Sequence, residues 1–421
     1  MIRKRKVVGA VAAVTLAMVL AACGSSTGGT KRPAGPASQG PTPTGDPVKI
    51  GLQYSEVPGF QQFAASKQVA DAWTQWVNNE MGGVNGHPVE IIAINDQLNG
   101  DTSVASARQL VEQDHVAAVI SQTPLSYSVN ASYFASQKMP LIGGIASDID
   151  VTKAGSNVYP MEGTTPYAQA APVLAISQSG GRSYAVAACA EVPSCTTSAD
   201  IMAKFAPAGV TSRSTVRVGT ADASYTGPCL GLVQGAPDAI VLVLGGAVSQ
   251  KLVPECQLQG FTGSYVVQAN SADKANIDAL TGAGASVIGT QSNFPWWADA
   301  EPAQRFRDVI DRYAPDTPMG STATGTWSTL ELFRKAMKAH GPGADKAVDA
   351  AAVRDAYAQI KDETLDGLLP QPLTFGANTP SDVTCVWPFT VENRKPKTLA
   401  PHGDSGNGQT GDLASSCLHA N

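Results

Sequence analysis

The sequence predicts an α/β fold of two lobes, each built on its own parallel sheet. Short apolar segments of strand length alternate with segments of helical length from Val48 onward, and the alternation starts again after Pro160. Strands that alternate with helices in this way form right-handed crossovers and a parallel sheet. A hydrophobic fraction of 43% over 421 residues is enough to fill two separate cores.

The amino-terminal segment has the features of a secretory signal. Four basic residues, Arg3 to Lys6, precede fourteen uncharged and mostly apolar residues, Val7 to Leu20. This apolar stretch is shorter than the roughly 20 residues of a transmembrane helix. It ends in Leu20-Ala21-Ala22-Cys23-Gly24, which resembles the bacterial lipobox, in which the cysteine receives a diacylglyceryl group. We expect residues 1–22 to be a signal peptide and Cys23 to carry the lipid that anchors the protein at the outer face of the membrane. The alternative is an ordinary cleaved signal in which Cys23 is incidental.

The next segment is predicted to be a tether. Of the 22 residues from Gly24 to Gly45, 17 are Gly, Pro, Ser or Thr, and they show no apolar periodicity. Such a segment cannot bury enough surface to fold, so we expect residues 23–45 to form the lipidated cysteine and a flexible tether.

The charge of the mature chain argues against nucleic acid as a partner. Taking the four basic residues of the leader from the 29 Lys and Arg leaves 25, against 35 Asp and Glu, a net charge of −10. An acidic surface repels phosphate, and no basic run with interleaved aromatic residues occurs.

The first lobe is predicted from four strands and the helices between them. A helix from about Gln61 to Met81 is followed by one that turns Val104, Leu110 and Val111 inward, and a third begins near Ser126. The first of these repeats its apolar residues at helical spacing on one face: Val69, Trp73, Trp76 and Val77. The predicted strands are Val48 to Gln53, Val89 to Asn95, Val116 to Ser121 and Leu141 to Gly143.

The second series of elements follows Pro160. Its strand Ala239 to Leu244 is almost entirely apolar, as expected for a strand that is covered on both faces. The other predicted strands are Tyr184 to Ala188, Ser214 to Val218 and Val287 to Thr290. The predicted helices are Tyr167 to Ser179, Ala199 to Phe205, Val248 to Leu258, Glu301 to Tyr313 and Ala323 to His340.

Several stretches in this order resemble the branched-chain amino-acid-binding (Leu/Ile/Val-binding) family of ABC-transporter receptors. The resemblance covers Val48 to Val391 and implies the type I periplasmic-binding fold, with two Rossmann-like lobes joined by three hinge crossovers. The stretches that carry it are Val77 to Gly86 (VNNEMGGVNG), Asp96, Leu110-Val111, Val116 to Ile120, Pro140 to Ile142, Pro237 to Leu242 and Gln259 to Phe261. By resemblance the crossovers lie near Met161, Asn293 and Phe375. The implied first lobe is 46–161 plus 294–373, and the implied second lobe is 162–293 plus 374–421.

The resemblance also implies where a ligand is held. In open parallel sheets, ligands bind beyond the carboxyl ends of the strands, where loops and helix N-termini present polar groups. By resemblance the polar contacts come from Gln122, Thr123 and Ser126 after the third strand, and from Ala146 and Ser147 after the fourth. The alternative for each Ser or Thr is helix capping.

Two departures from the family pattern concern the charge of the ligand. Where amino-acid-binding relatives place an acid that pairs with the ligand ammonium, this sequence has Gln250, and the loop from Cys189 to Cys195 lacks an aromatic ligand contact. A buried ammonium without a partner is costly. We therefore expect an uncharged or anionic solute to bind more tightly than leucine, isoleucine or valine, with Glu191 as the alternative acidic partner.

Aromatic residues follow the second crossover. Phe294-Pro295-Trp296-Trp297 is expected at the mouth of the cleft, where Trp296 would face an apolar or ring-containing ligand. The alternative is that a tryptophan packs in the core between the lobes.

The six cysteines left after Cys23 predict three disulfides. An even number is expected in an oxidising compartment, whereas zinc is disfavoured because no C-x-x-C pair occurs and the five histidines are scattered. Of fifteen possible pairings we expect the sequence-adjacent ones: Cys189–Cys195, Cys229–Cys256 and Cys385–Cys417. The helices that carry Cys229 and Cys256 flank one strand, and successive right-handed crossovers place such helices side by side.

No catalytic or cofactor motif is convincing. Gly403-Asp404-Ser405-Gly406 matches the serine motif of trypsin-like proteases, but it lies in a polar tail of a predicted α/β fold. The sequence therefore predicts a non-enzymatic, extracytoplasmic solute-binding lipoprotein without cofactor or metal. We expect a monomer that captures a small organic molecule (amino acid-like, amide or organic acid) for import by an ABC permease. The alternative is a receptor that presents its ligand to a membrane signalling partner.

Overall fold

The computed structural model of the chain describes the predicted globular part. It covers residues 39–57, 61–123, 125–144, 157–191, 193–376 and 382–419, with only the backbone described at 61, 62, 126, 193 and 194. In this described part, no helix is both long enough and apolar enough to cross a membrane.

The first sheet contains five parallel strands in the order β2-β1-β3-β4-β5. Its strands are β1 (Val48–Tyr54), β2 (Val89–Asn95), β3 (Ala118–Gln122), β4 (Leu141–Ile142) and β5 (Val158–Tyr159). The helices between them are α1 (Ala65–Glu80), α2 (Gly100–Arg108) and α3 (Ala131–Ser136), with wider π turns at Gln109–Gln113 and Ser126–Asn130. The four predicted side chains of α1 are all buried, because they share its inward face.

The second sheet has eight strands and is mostly parallel. Its helices are α4 (Thr165–Ala170), α5 (Pro172–Gln178), α6 (Pro193–Phe205), α7 (Thr226–Val233), α8 (Gly246–Leu258) and α9 (Lys274–Gly282). Its parallel strands are β6 (Ser183–Cys189), β7 (Thr211–Val218), β8 (Ala239–Val243), β9 (Ser264–Val267) and β10 (Ser286–Gln291).

The chain then returns to the first sheet and forms three helices there before it completes the second sheet. These are α10 (Glu301–Tyr313), α11 (Ser321–His340) and α12 (Ala350–Tyr357), and α1 packs against both α10 and α11. The antiparallel strands β11 (Cys385–Glu392), β12 (Lys395–Thr398) and β13 (Ser416–Cys417) then complete the order β12-β11-β10-β9-β8-β6-β7, with β13 paired to β11. We call the first sheet with α1–α3 and α10–α12 the first lobe, and the second sheet with α4–α9 the second lobe.

The predicted fold of two α/β lobes with mostly parallel sheets is confirmed. The chain passes between the lobes after β5, after β10 and between α12 and β11, and the predicted crossovers at Met161, Asn293 and Phe375 lie in these three connections. The exact lobe boundaries stay a prediction.

The buried face of α2 differs from the predicted one. Val104 is 38% exposed, because the face that packs on the sheet is offset by one residue and contains Ser103, Ser106 and Leu110. The small hydroxyl residues on this face accept hydrogen bonds from a buried amide: Gln53 Nε2 lies 2.9 Å from the Ser103 carbonyl oxygen and 2.6 Å from Ser106 Oγ. The prediction that Val104 points inward, which was based on hydrophobicity, is therefore wrong.

The last residues of the predicted tether are part of the folded unit. The amide of Gly40 donates to the carbonyl of Asn79 at 2.8 Å, and the amides of Thr44 and Gly45 both donate to the carbonyl of Gly86 at 2.9 Å. A free coil is therefore not the conformation of residues 40–45.

Candidate functional site

A cavity of about 280 Å³ lies where the carboxyl ends of the two sheets approach each other. The first sheet contributes Gln122, the last residue of β3, and Gly144, which follows β4. The second sheet contributes Val243 at the end of β8, Gln268 after β9 and Ser292 after β10. This is the edge at which parallel α/β sheets bind their ligands.

The amino-terminal end of α11 forms part of the cavity wall. Ser321 and Thr322, its first two residues, line the cavity together with Gly325 and Thr329 on the same side of the helix. Because the first N–H groups of a helix have no partner within it, this end of α11 carries a partial positive charge.

The first crossover contributes an acidic residue to the cavity wall. Among the described residues that line the cavity, Glu162 is the only one with an ionisable acidic or basic side chain. The Asn293 side-chain amide, from the second crossover, donates to Glu162 Oε2 at 2.8 Å and to the Ser321 carbonyl at 3.3 Å. These bonds tie two crossovers to the start of α11.

Hydroxyl groups of the α11 wall are already used within the protein. The Thr329 hydroxyl donates to the Gly325 carbonyl at 2.8 Å, and the Ser321 hydroxyl donates to the side chain of Gln291. The Thr329 bond is made within α11, whereas the Ser321 bond joins α11 to the end of β10. These two groups can accept a hydrogen bond from a ligand, but their protons are not available to it.

Two glutamine amides in the wall have donors without partners. Gln122 is 2% exposed and Gln268 is 8% exposed, and neither Nε2 atom has a hydrogen-bond partner. A buried donor left unsatisfied costs about 1–3 kcal/mol.

A glycine pair lets the chain pass close to its neighbours at the edge of the first sheet. Gly143 and Gly144 have φ values of +58° and +88°, and a Cβ atom on Gly144 would overlap the carbonyl oxygen of Ser121. The hydroxyl of the buried Tyr127 donates to the Gly143 carbonyl. Burial raises the pKa of Tyr127 well above its ordinary value, so this hydroxyl keeps its proton and its bond.

The sequence from residue 47 to residue 396 matches the model of a family described as periplasmic binding protein. This match spans most of the chain. The chain belongs to the periplasmic binding protein family. A search of curated proteins found no match.

Solved structures with the same fold are similar to this periplasmic binding protein at low sequence identity. A possible leucine/isoleucine/valine-binding protein from Rhodopirellula baltica has a TM-score of 0.67 at 15% identity, over 85% of this chain and 97% of that chain. An extracellular ligand-binding receptor from Rhodopseudomonas palustris has a TM-score of 0.65 at 18% identity, over 83% and 98%. A leucine-binding protein from Thermotoga maritima has a TM-score of 0.64 at 16% identity, over 84% and 98%. At these identities the likeness shows the fold.

Of the ligand contacts expected from the sequence, the structure places Gln122 in the cavity wall. Thr123 is buried behind it, where its hydroxyl oxygen accepts from Ser55 Oγ at 2.9 Å and from the amide of Leu125 at 3.3 Å, which is turn chemistry. Ala146, Ser147 and the side chain of Ser126 lie outside the described residues, as does the lipid site at Cys23.

Gln250 and Glu191 lie away from the cavity wall. Gln250 is exposed on α8, one turn after the helix begins at Gly246, and its amide donates to Asn276 Oδ1 at 3.1 Å. Glu191 is exposed and accepts from the amide of Thr220 at 2.7 Å and from its hydroxyl at 3.0 Å, and these bonds lower the pKa of the carboxyl group. Neither side chain is therefore in place to meet a ligand ammonium.

Trp296 belongs to the hydrophobic core rather than to the described cavity wall. It is 6% exposed, and its ring packs edge-on against Trp297 with centroids 4.6 Å apart. Trp297 in turn packs against Phe389 of β11 at 5.2 Å. The pair therefore joins the second crossover to the second sheet.

The three predicted disulfides are confirmed: Cys189–Cys195, Cys229–Cys256 and Cys385–Cys417. Cys195 lines the cavity, so the disulfide with Cys189 fixes part of its wall. The protease-like motif has a structural role instead, since the Ser405 hydroxyl donates to Asn407 Oδ1 at 2.7 Å. In the described part of the chain, no cluster of three or more side chains is arranged to hold a metal ion.

Sequence reasoning missed several residues of the cavity wall. Gln268 and Asn270 follow the apolar strand β9, and polar residues just beyond an apolar strand were the signal that could have found them. Glu162 and Asn293 lie at predicted crossovers. Because the crossovers connect the two lobes beside the cleft, their polar residues could have been predicted as cavity residues.

Proposed function

We propose that this periplasmic binding protein captures one small organic solute between its two lobes and delivers it to an ABC permease. The observation that carries the proposal is the cavity, whose wall is supplied by the carboxyl ends of both sheets and by the crossovers that connect them. Hinge closure of two lobes around such a site buries the solute. Family membership supports the same function.

The solute is proposed to be amino acid-like or an amide rather than an organic acid. The prediction of an uncharged or anionic ligand rested on Gln250, which lies outside the cavity wall. The wall itself gives a different reason: its described part is rich in amides and hydroxyls and contains no Lys, Arg or His. An anion would find no positive side chain there and would face Glu162, so only the partial positive charge at the start of α11 would favour it.

We further propose that Cys23 carries the lipid anchor. The support is the lipobox-like Leu20 to Gly24 after a short apolar segment and a basic leader. Two or more acyl chains hold a protein stably on a membrane. The variant Cys23→Ala should be found in the soluble fraction or remain unprocessed, and a correctly processed variant that stays membrane-bound would contradict the anchor.

The function is tested by identifying the solute and following its uptake. Mass spectrometry of the small molecules released on denaturing the purified protein should give one compound in near-stoichiometric amount. Cells that lack the protein should take up the labelled compound more slowly than cells that contain it. Equal uptake with and without the protein would contradict the transport role and favour the alternative of a signalling receptor.

A further inference from the structure

The carboxyl-terminal tail, residues 399–419, is attached to the second lobe. Its short strand β13 pairs with β11, and the Cys385–Cys417 disulfide joins the same two strands. The indole of Trp387, on β11, donates to the Leu413 carbonyl at 2.9 Å. The tail also contains the protease-like motif, which lies outside the described cavity wall.

The connection between α12 and β11, which is the third crossover, begins on the first lobe. The turn Leu365–Gly367 packs against α11, and Glu363, just before this turn, pairs with Lys335 of α11 at 2.7 Å. The side chains of Leu368 and Leu369, which follow the turn, are buried. This part of the crossover is therefore held by the first lobe.

The side chain of Asn407 joins the tail to that turn. It is 4% exposed, and its Nδ2 atom lies 3.3 Å from the Gly367 carbonyl oxygen, 3.1 Å from that of Leu369 and 2.9 Å from that of Leu413. Its Oδ1 atom accepts from the Ser405 hydroxyl at 2.7 Å. One buried amide group therefore bonds both to the first-lobe part of the crossover and to the tail itself.

Two further side chains tie the same connection together. The buried Ser415 hydroxyl, from the tail, donates to the Pro370 carbonyl at 2.6 Å. The Gln371 side chain accepts from the amide of Thr384 at 2.9 Å and donates to the Asp382 carbonyl at 2.9 Å, so it joins the two ends of the connection. Rotation of one lobe against the other at this crossover would stretch or break these bonds.

We propose that the carboxyl-terminal tail is a strap that couples the two lobes across the third crossover and limits how far the cavity opens, with Asn407 and Ser415 as its positioning residues. A crossover alone allows hinge rotation, because a few backbone dihedral angles absorb the change. A second connection beside the crossover removes part of that freedom. The strap goes beyond solute capture, since it concerns the motion of the lobes and holds whatever the solute is.

The strap is tested by distances between the lobes in protein freed of ligand by unfolding with its disulfides intact and refolding. Spin labels at Ser128→Cys and Ala221→Cys, two exposed positions beyond β3 and β7, report the separation of the two sheet edges. The Cys23→Ala chain is used because its other six cysteines are paired. The labels are attached before unfolding, so that the added thiols cannot exchange with the disulfides.

Ser415→Ala and Asn407→Ala each remove bonds across the crossover. We expect the distance distribution to be narrow in the otherwise unchanged chain and to broaden toward longer distances in both variants, more in Asn407→Ala. Hydrogen exchange of the amides from Leu365 to Leu373 should become about tenfold faster. Ser415→Ala removes a single hydroxyl, so it keeps the test decisive if Asn407→Ala does not fold.

Asp412→Ala is the matched control. Asp412 lies in the same tail, and its Oδ1 atom accepts from the amide of Thr398 at 2.9 Å, which is a bond within the second lobe. This variant should keep the distances of the unchanged chain. The same distribution in all folded variants would overturn the strap, and so would equal broadening in Asp412→Ala and Ser415→Ala. Because no solute is added, neither outcome depends on the proposed solute-binding function.

Discussion

The two lobes are stabilised in different ways. All three disulfides lie in the second lobe, and none of the described contacts within the first lobe is covalent. The first lobe is instead joined by buried polar contacts between distant segments: Trp73 Nε1 donates to Glu331 Oε1 at 2.8 Å, and Arg312 pairs with Glu80 at 2.5 Å. These contacts connect α1 to α11 and α10, although most of the second lobe lies between α1 and these two helices in the sequence.

This difference follows from how the chain is divided. The first lobe is assembled from two segments with the second lobe between them, so its two parts meet only after a long loop is closed. The second lobe is mostly one continuous segment, and its disulfides join residues only 6, 27 and 32 positions apart. We therefore expect the first lobe to be sensitive to single polar substitutions and the second to be sensitive to reduction.

The largest effect is expected for Glu331→Ala. Glu331 is nearly buried, and the Nε and Nη2 atoms of Arg334 donate to it at 2.9 and 2.8 Å in addition to the indole of Trp73. Removing the carboxylate leaves a largely buried guanidinium and an indole N–H without partners, so the free energy of unfolding should fall by about 3–5 kcal/mol. Chemical denaturation followed by circular dichroism measures this.

Glu301→Ala is the control for that variant. Glu301 also pairs with an arginine of its own helix, Arg305, but its side chain is 71% exposed. An exposed pair contributes about 0–1 kcal/mol. If the two variants lose equal stability, the buried contact does not hold the first lobe together.

A somewhat smaller loss is expected when Cys229 and Cys256 are both replaced by alanine. Removing a cross-link over 27 residues should lower the free energy of unfolding by about 3–4 kcal/mol, against about 2 kcal/mol for the pair Cys189 and Cys195. Hydrogen exchange should show faster opening in β6–β9 and unchanged protection in β1–β3. Equal loosening of both lobes would contradict the division proposed here.

The smallest effect concerns pH and the second lobe. The backbone amide of Arg182, the hydroxyl of Ser183 and its amide donate to Asp238 at 2.8–2.9 Å, and these bonds lower the pKa of Asp238 below its ordinary 3.8. A lowered pKa in the folded state means that the stabilisation is complete above pH 3.8 and is lost as the pH falls through the folded-state value. Asp238→Asn should cost less than about 1 kcal/mol at pH 7.

That cost should disappear in acid. Denaturation curves of wild type and Asp238→Asn at pH 7 and at successively lower pH should converge once the wild-type carboxylate is protonated. A difference that stays constant down to pH 2 would show that the carboxylate charge is not the cause.

The sequence predicted the fold better than the site, and the reason is the range of the contacts. Strands such as Val89–Asn95 and helices such as Glu301–Tyr313 follow from local periodicity, and their predicted bounds were the observed ones. The cavity is different, because Gln122 and Gln268 come together only through the packing of two lobes. Gln250 was assigned from the resemblance to amino-acid-binding relatives, and only the structure shows that it lies on the outside of α8.

Residue patterns along the sequence also gave wrong predictions for the inward face of α2 and for the place of Trp296. The inward face of α2 contains Ser103 and Ser106 because Gln53 and Asn130 need acceptors there, and Val104 is exposed. Similarly, Trp296 was expected at the cleft because aromatic residues suit ligands, whereas its ring packs against Trp297.

If one solute occupies the cavity and touches both lobes, filling the cavity from either lobe must expel it. Native mass spectrometry can compare the wild type with two variants that fill the cavity, Thr322→Trp from the first lobe and Ala168→Trp from the second, since both residues line it. We expect a bound solute in the wild type and its loss in both variants, with circular dichroism spectra unchanged. Retention of the same bound mass by either folded variant would contradict it.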